Sequence, residues 1–497
     1  MNAPSANTGV SILDLPNILT LLFERAGRPL LPDAASTPGL FVRYLRRKPA
    51  RGLAVIYAVD EVGKHKSEHA SDPHRSVSLT LDEQALDGAI IQFSEAQAHE
   101  APLEVQASGV LRADAIGLSV QAFPADSGLP ALAASCDSST GRVFSAIEQA
   151  ARTYLQDEAW ALKEVAAEPV RYKPGNRCVI RYRLILAHSQ REEQKHLTIF
   201  GKVYADPQQA RSVQALQQRL YDEQVAKLGS SLIGLTYSTP LLPRPLGIVE
   251  EIGLTFNEAV QPASADEHML TGTRALQPRL ERGQGGAISS ISLPVEELRL
   301  TAAALARLHT SAVRPAEGSP RTGAKEAKRA RDRAALIASH NAAQAEEVQR
   351  LAQDLAARLE SVKPDSYRPA HGGFKSSQLL FHSHQVFVVD FDGFCMADAA
   401  LDVGYFLAYL RPSGLWYHSP GMREWFEGAA QVFTATYRQA MLEAGVAPAA
   451  IDGILERSRL YEAALIFKIA TRRVNRLNSP RPKELSSMLA EIADRLA

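Results

Sequence analysis

The chain has 497 residues, of which 45% are hydrophobic and 22% charged, and this composition is ordinary for a soluble globular protein with room for roughly two to four domains. Its 55 Lys and Arg residues balance 55 Asp and Glu residues, so no overall field recruits nucleic acid or a membrane surface. No apolar run approaches the roughly 18 residues of a membrane-spanning helix, so none is predicted.

The three cysteines and residues 1–10 indicate the cellular compartment of the protein. Cys136, Cys178 and Cys395 are isolated, lack metal-ligand spacing and cannot all pair, which argues against a disulfide framework. Residues 1–10 lack the charged start and apolar run of a signal peptide. The sequence therefore predicts a cytoplasmic protein.

Residues 1–135 are predicted to form a β-rich accessory domain. A short apolar helix is expected over residues 18–23. β-branched and alternating residues then predict strands over residues 53–57 and 76–81, and a turn at 127–130 closes the region.

Residues 141–262 are predicted to form a second β-rich unit. A helical pattern runs from about residue 141 to 162, followed by strands over 168–172, 178–186 and 197–204. Asp206-Pro207 begins a helix that extends to about residue 225, with proline at a tolerated first-turn position. A further strand is expected over residues 254–260.

A faint internal repeat links these two units. Residues 42–57 and 170–182 share Val-Arg-Tyr, Lys-Pro and a closing tyrosine, and both Lys48 to Lys173 and Tyr57 to Tyr182 are 125 positions apart. Duplication of a small hairpin is the favoured interpretation, and two unrelated basic hairpins are the alternative.

Residues 263–497 are predicted to be mainly helical. Pro294 opens a helix with an apolar side, a long helix is expected over roughly 323–361, and four more follow in order. These last are residues 402–410, 422–444, 451–476 and 483–496. A β-rich part before a helical part predicts the α+β class.

The most informative stretch lies within this helical part. Residues 371–381 read His-Gly-Gly-Phe-Lys-Ser-Ser-Gln-Leu-Leu-Phe, and residues 386–393 read Val-Phe-Val-Val-Asp-Phe-Asp-Gly. Gln378 and Asp390 flank a short hairpin, so their side chains can converge on a cation, and hard oxygen ligands of this kind suit Mg²⁺. Lys375 could reach a terminal phosphate, and phosphoryl transfer depends on such positioned charges.

This segment resembles the aminoglycoside and choline phosphotransferase group of protein-kinase-like enzymes. Their loop reads His-Gly-Asp-hydrophobic-x-x-x-Asn and precedes a strand that ends in Asp. The resemblance covers about residues 141–480 and implies a two-lobed protein-kinase-like fold, with a β-rich small lobe (141–262), a helical large lobe (263–497) and the N-terminal domain as an addition. It also implies ATP and Mg²⁺ as cofactors and a small-molecule acceptor.

The resemblance assigns roles to particular residues. Lys202 would hold the α- and β-phosphates, and Lys375 would neutralise the γ-phosphate. Gln378 and Asp390 would bind Mg²⁺. The nucleotide-binding set is completed by residues of the small lobe, namely Lys173, Gly175 and Glu258.

The chain departs from the family pattern at three places. Gly373 stands where the catalytic-base aspartate is expected, and Gln378 replaces the metal-binding asparagine. The glutamate that orients the lysine has no firm counterpart, since only Asp222 and Glu223 lie late in the helix after Lys202.

Two hypotheses follow from Gly373. The first is a phosphotransferase in which another carboxylate, such as Asp392, replaces the base or the acceptor is already acidic. The second is a pseudokinase that binds nucleotide, with the N-terminal domain recruiting a protein partner. His371 and Asp402 are predicted to brace the loop rather than to react.

Overall fold

The computed structural model describes residues 15–27, 40–48, 52–59, 76–82, 86–87, 90–91, 93–137, 141–236, 239–260, 269–282, 288–382, 384–412, 414–474 and 481–497. These residues form two compact units. The first comprises the described residues up to Arg211 together with Leu246–Glu258, and the second comprises the remaining described residues. The boundaries predicted at 135, 141 and 262 stay predictions.

The N-terminal part of the first unit is a six-stranded antiparallel sheet in the order β1-β2-β3-β8-β7-β6. Leu19 and Leu22 on the apolar side of helix α1 share one core with Val55 and Leu79 of the sheet. The elements are α1 Leu15–Arg25, β1 Leu40–Lys48, β2 Gly52–Val59, β3 Ser76–Leu81, β4 Leu86–Asp87, β5 Ile90–Ile91, α2 Glu95–Glu100, β6 Glu104–Val105, β7 Leu111–Ala113, β8 Leu118–Ala122 and α3 Leu132–Cys136.

A second antiparallel sheet follows, in the order β14-β15-β11-β10-β9. Its core combines Ile147 of helix α4 with Ile180 and Phe256 of the sheet. The elements in this stretch of chain are α4 Gly141–Leu155, β9 Trp160–Lys173, β10 Arg177–His188, β11 Gln194–Tyr204, α5 Pro207–Ala226, β12 Ser231–Leu232, β13 Leu235–Thr236, β14 Pro245–Val249 and β15 Leu254–Glu258.

One boundary in this sheet differs from the prediction. The helix expected to reach residue 162 ends at Leu155, where Gln156 has a φ of +55° and breaks the helical path. Trp160 then begins β9, so residues 160–162 are strand. The two members of the sequence repeat are both antiparallel hairpins, β1–β2 and β9–β10. Their descent from one duplicated hairpin stays a prediction.

The second unit is mainly helical, with its core around helices α10 and α12. The rings of Phe406 and Phe433 lie 4.2 Å apart in this core. The remaining elements are β16 Leu270–Thr271, α6 Gly272–Ala275, β17 Arg279–Arg282, β18 Ile288–Ser292, α7 Val295–His309, α8 Gly323–His340, α9 Ala345–Ser361, β19 Arg368–Ala370, β20 Leu379–His382, β21 Gln385–Val388, β22 Cys395–Ala397, α10 Ala400–Leu410, α11 Met422–Glu443, α12 Pro448–Val474 and α13 Leu485–Leu496.

The single long helix predicted over residues 323–361 is wrong, because the chain turns at Asn341. This residue has φ −143° and ψ 82° and ends α8, and α9 starts at Ala345. The break lets Ile337 and Val348 enter one core, whereas a continuous helix of that length would extend about 58 Å. The α+β class is confirmed.

Two further expectations concern the chain as a whole. Within the ranges given above, no helix is both long enough and apolar enough to cross a membrane. Cys136, Cys178 and Cys395 are free, in agreement with the prediction that they form no disulfide framework.

Candidate functional site

The loop that begins at His371 is held by the carboxylate of Asp402, a buried residue in the first turn of α10. Asp402 Oδ2 accepts from the backbone N–H of His371 at 2.6 Å and of Gly372 at 3.4 Å, and Oδ1 accepts from Phe374 at 3.4 Å. His309 Nε2 lies 3.6 Å from Oδ2. Burial alone would raise the pKa of Asp402, but His309, His371 and the backbone donors hold it below its usual value.

His371 braces the same loop from its other side. Its Nε2 lies 3.1 Å from the carbonyl oxygen of Val389, which can only accept, so the ring proton sits on Nε2. Burial lowers the pKa of His371 despite the opposing charge of Asp402, so the ring is neutral. The bracing roles predicted for His371 and Asp402 are confirmed by these contacts.

Two consecutive glycines in the loop differ in what they permit. Gly372 has a φ of +73°, and a Cβ there would lie 2.1 Å from the Gly393 carbonyl oxygen, so only glycine fits. A Cβ on Gly373 would meet nothing within 4 Å. The backbone therefore does not require glycine at position 373, and an aspartate has room there.

Gln378 and Asp390 are brought together, as expected, where the β20–β21 hairpin opens. Leu379 pairs with Val388, and the Val389 N–H donates to the Gln378 carbonyl oxygen at 2.9 Å. Gln378 Nε2 donates to Asp390 Oδ2 at 3.4 Å. Asp390 itself adopts a left-handed conformation with φ 71°.

The donor set of this pair fits Mg²⁺. The side chain of Gln378 is 7% exposed, and its Oε1 atom has no hydrogen-bond partner among the described residues. An orphaned amide oxygen beside a carboxylate supplies two hard oxygen ligands. In the described parts of the chain, no group of three or more His, Cys, Asp or Glu side chains is placed to hold a metal ion, so phosphate oxygens and water would have to complete the shell.

Lys375 points toward α10. Its Nζ lies 5.2 Å from the centre of the Tyr409 ring. The loop is tied to the same helix through Arg321, which donates to the Gly372 carbonyl oxygen at 2.5 Å and to the Tyr405 hydroxyl at 2.8 Å. The ammonium group of Lys375 is thus positioned on the α10 side of the loop.

The candidates of the first unit lie on its second sheet. Lys202 pairs with Thr255, and its Nζ lies 4.9 Å from the ring centre of Tyr204. Glu258 ends β15 opposite Ile199 of β11. Their assignment to a nucleotide stays a prediction.

The turn that carries Lys173 and Gly175 is bound by the N-terminal region. Buried Asp126 accepts from the Tyr172 hydroxyl at 2.7 Å and from the Gly175 N–H at 2.8 Å through one oxygen. Its other oxygen accepts from the Gly128 N–H at 2.8 Å. The backbone N–H of Gly175, a residue predicted to bind nucleotide, therefore already has a partner.

The acids considered as partners for Lys202 have other contacts. The Glu223 carboxylate accepts from the Ser311 hydroxyl and from the Ala312 N–H, and it pairs with Lys227. Burial would raise the pKa of Glu223, but these contacts lower it. Glu223 thus braces the segment after α7.

Residues 274–441 match the model of the phosphotransferase enzyme family. The match covers about a third of the chain and includes the loop at His371. The resemblance predicted from residues 371–393 is thereby confirmed. No curated protein matches the chain.

Solved structures of small-molecule kinases are similar to this chain. A choline/ethanolamine kinase family protein from Mesorhizobium loti has a TM-score of 0.38 at 11% identity and covers 71% of this chain and 94% of its own. Choline kinase LicA from Streptococcus pneumoniae has a TM-score of 0.37 at 11% identity, over 71% and 99%. A glucosamine kinase in complex with glucosamine, ADP and inorganic phosphate has a TM-score of 0.39 at 16% identity, over 100% of each chain. None of these likenesses bears on the substrate.

Two groups near the loop that begins at His371 were missed by the sequence reasoning. Lys468 is a single charge within the apolar run 463–470 of α12, and that isolation was an available signal. Tyr405 and Tyr409 are spaced to share one face of α10. Asp126 gave no comparable signal, because its partners are about fifty residues away.

Proposed function

We propose that the protein is an ATP- and Mg²⁺-dependent phosphotransferase that acts on a small-molecule acceptor. The observation that carries this proposal is the partnerless Gln378 Oε1 beside the Asp390 carboxylate. Leaving a buried polar atom without a partner costs about 1–3 kcal/mol, and a bound cation would remove that cost. The family match over residues 274–441 supports the reaction class.

The chain's own residues would bind and orient the reactants. Gln378 and Asp390 would hold Mg²⁺, which when bound supplies neutralisation of phosphate charge. Lys202 would hold the α- and β-phosphates, and Lys375 would approach the γ-phosphate. Asp402 and His371 hold the backbone of the loop that carries Lys375, which favours a preorganised position for that lysine.

The glycine at position 373 lowers the expected rate of phosphate transfer to an acceptor that must lose a proton. General-base assistance is typically worth about 10²–10⁴-fold, while positioning and electrostatics supply the rest of a kinase's acceleration. A chain without the base can therefore transfer phosphate slowly to a neutral hydroxyl, or at an ordinary rate to an acceptor that needs no deprotonation.

A second candidate function is a nucleotide-binding pseudokinase whose N-terminal domain recruits a partner. Gly373 favours it, because the position carries no proton acceptor. Both candidates predict nucleotide binding. A ligand at 100 times its Kd stabilises a fold by about 2.7 kcal/mol. A melting scan with ATP, with and without Mg²⁺, should show this shift, and no shift at millimolar ATP would contradict both.

Turnover separates the two candidates. ATP hydrolysis and transfer are measured over a panel of metabolites for the natural protein, Gly373→Asp and Asp390→Ala. Asp354→Asn is the matched control, because Asp354 pairs with Arg358 on the surface of α9. Turnover that disappears in Asp390→Ala and persists in the control supports the phosphotransferase. Turnover in Gly373→Asp alone, or in no variant, supports the pseudokinase.

A further inference from the structure

A group of cations surrounds the two tyrosines of α10. Lys468 Nζ lies 5.1 Å from the Tyr405 ring centre, and Lys375 Nζ lies 5.2 Å from that of Tyr409. Arg472 donates to the Tyr409 hydroxyl at 3.3 Å. Half-buried Arg333 donates to the Ala464 carbonyl of the same helix α12 at 3.0 Å. The name cationic cluster is used below for Lys375, Lys468, Arg472 and Arg333.

The cationic cluster is poorly compensated by acids. Within the described ranges, no ion pair joins Lys468, Arg472 or Arg333 to a carboxylate. Glu326 acts on Arg333 at a distance, but its carboxylate already pairs with Arg321 and Arg329. Lys468, Arg472 and Arg333 thus lie near one another without an ion-paired carboxylate in the described part of the second unit.

The cationic cluster is electrostatically unfavourable when no anion is bound to it. Burial lowers the pKa of Lys468, and the charges of Arg472, Arg333, Lys375 and Arg321 act in the same direction, so that together they bring it to about 7. Like charges in a partly buried site destabilise one another, and an anion among them would reverse the sign of that interaction.

The cluster lies next to the loop that carries Gly373. Arg321 donates to the carbonyl oxygen of Gly372, and its guanidinium carbon lies 5.3 Å from the ring centre of Tyr405. Lys468 contacts the same ring. Lys468 and Arg472 lie outside the segment 274–441 that matches the family model.

We propose that the cationic cluster binds the phosphate acceptor, and that this acceptor is a small organic anion whose attacking oxygen is already ionised, a carboxylate or a phosphate monoester. The proposal rests on the proposed phosphotransferase function. Lys468 and Arg472 would hold the anion, and Lys375 would bridge toward the nucleotide.

The chemistry explains why no base is needed. The ionised oxygen attacks the γ-phosphorus of ATP, one oxygen–phosphorus bond forms, and the bond from the γ-phosphorus to the bridging oxygen breaks. ADP leaves with the electron pair of that bond. The acceptor has no proton to lose, so position 373 has no proton to receive. The product is an acyl phosphate or a phosphoanhydride.

Binding is tested first, without nucleotide, by calorimetry on the full chain. The probes are benzoate, phenyl phosphate, neutral benzyl alcohol and cationic glucosamine. We expect at least one anion to bind and the other two compounds not to bind. Lys468→Met keeps the apolar stem over Tyr405 and removes the charge, so anion affinity should fall about tenfold. Lys468→Arg should retain it, which separates charge from packing.

The matched control is Lys328→Met, because Lys328 is exposed and pairs with Asp332 on α8. It should bind the anion like the natural protein. The cluster proposal fails if neither anion binds, if Lys468→Met binds as well as the control, or if glucosamine binds instead.

Turnover then distinguishes failure of this inference from failure of the proposed function. Anion binding without ATP consumption in any mixture supports the cluster as an anion site and overturns the phosphotransferase. ATP consumption with benzyl alcohol or glucosamine that Lys468→Met leaves unchanged overturns the cluster and supports the phosphotransferase. Trapping of the product by hydroxylamine identifies an acyl phosphate from benzoate, whereas ATP consumption with phenyl phosphate and not with benzoate identifies the phosphate monoester as acceptor.

Discussion

Replacing Asp402 with asparagine should loosen the loop on which the site depends. The carboxylate accepts three backbone N–H groups, from His371, Gly372 and Phe374, and it faces His309. Asparagine offers one acceptor oxygen and one NH₂ group, so its NH₂ group would face a backbone N–H group and no hydrogen bond could form there. Bonds to charged groups contribute about 1.5–3 kcal/mol and neutral ones about 0.5–1.5 kcal/mol. The expected loss is about 2–3 kcal/mol of unfolding free energy for the second unit.

The assay is urea unfolding at neutral pH, combined with hydrogen exchange at the amides of residues 371–374. Asp354→Asn serves as the control, because Asp354 pairs with Arg358 at the surface and should change stability by less than about 0.5 kcal/mol. The folded pKa of Asp402 is lowered, so its contribution is present above the unfolded pKa and is lost as pH falls through the folded pKa. An Asp402→Asn variant as stable and as protected from exchange as the control would refute this account of the loop.

Three further outcomes are expected. The pKa of Lys468 is about 7, and the charges that face this lysine are those of Arg472, Arg333, Lys375 and Arg321. Lys468 therefore loses its charge as the pH rises from 6 to 8, and benzoate binding should weaken over this range. Binding that calorimetry finds to be independent of pH would contradict this. Asp126→Asn should raise hydrogen exchange at the Gly175 amide about tenfold, and unchanged protection would show that the bond contributes little. Burial raises the pKa of Glu491 to about 7, so ionisation of this residue destabilises the fold as the pH rises from about 4.5 to 7. The variant Glu491→Gln should therefore have a higher melting temperature than the natural protein at pH 8 and the same melting temperature at pH 4. A lower melting temperature of the variant at pH 8 would contradict this.

Local patterns in the sequence were sufficient for the loop and its hairpin. Residues 371–393 contain a glycine turn, two short apolar strands and acids at strand ends, and each signal depends on neighbours only a few positions away. The predicted proximity of Gln378 and Asp390 followed from hairpin geometry alone. The bracing role of Asp402 was also accessible, since a buried acid in the first turn of a helix needs backbone donors.

Features that depend on long-range packing could not be predicted from local sequence patterns. The helical pattern over residues 323–361 is continuous because Ala, Arg and Glu favour helix throughout, and only the shared core reveals the turn at Asn341. The contact of Asp126 with Gly175 joins two regions about fifty residues apart. Lys468 was predicted only as part of a helix, because its surroundings are set by α10 and the loop.

Gly373 alone leaves the reaction undecided, but the surrounding geometry narrows the choice. The loop is still fixed by a buried carboxylate, and position 373 has room for the missing aspartate, so its absence is not forced by the backbone. The same unit places Lys468 and Arg472 beside this loop without carboxylate partners among the described residues. A neutral or cationic acceptor would still need a base and would leave these positive charges unpaired. An ionised acceptor needs no base and pairs with the charges. The anionic acceptor is therefore the interpretation that requires the fewest unfavourable charges.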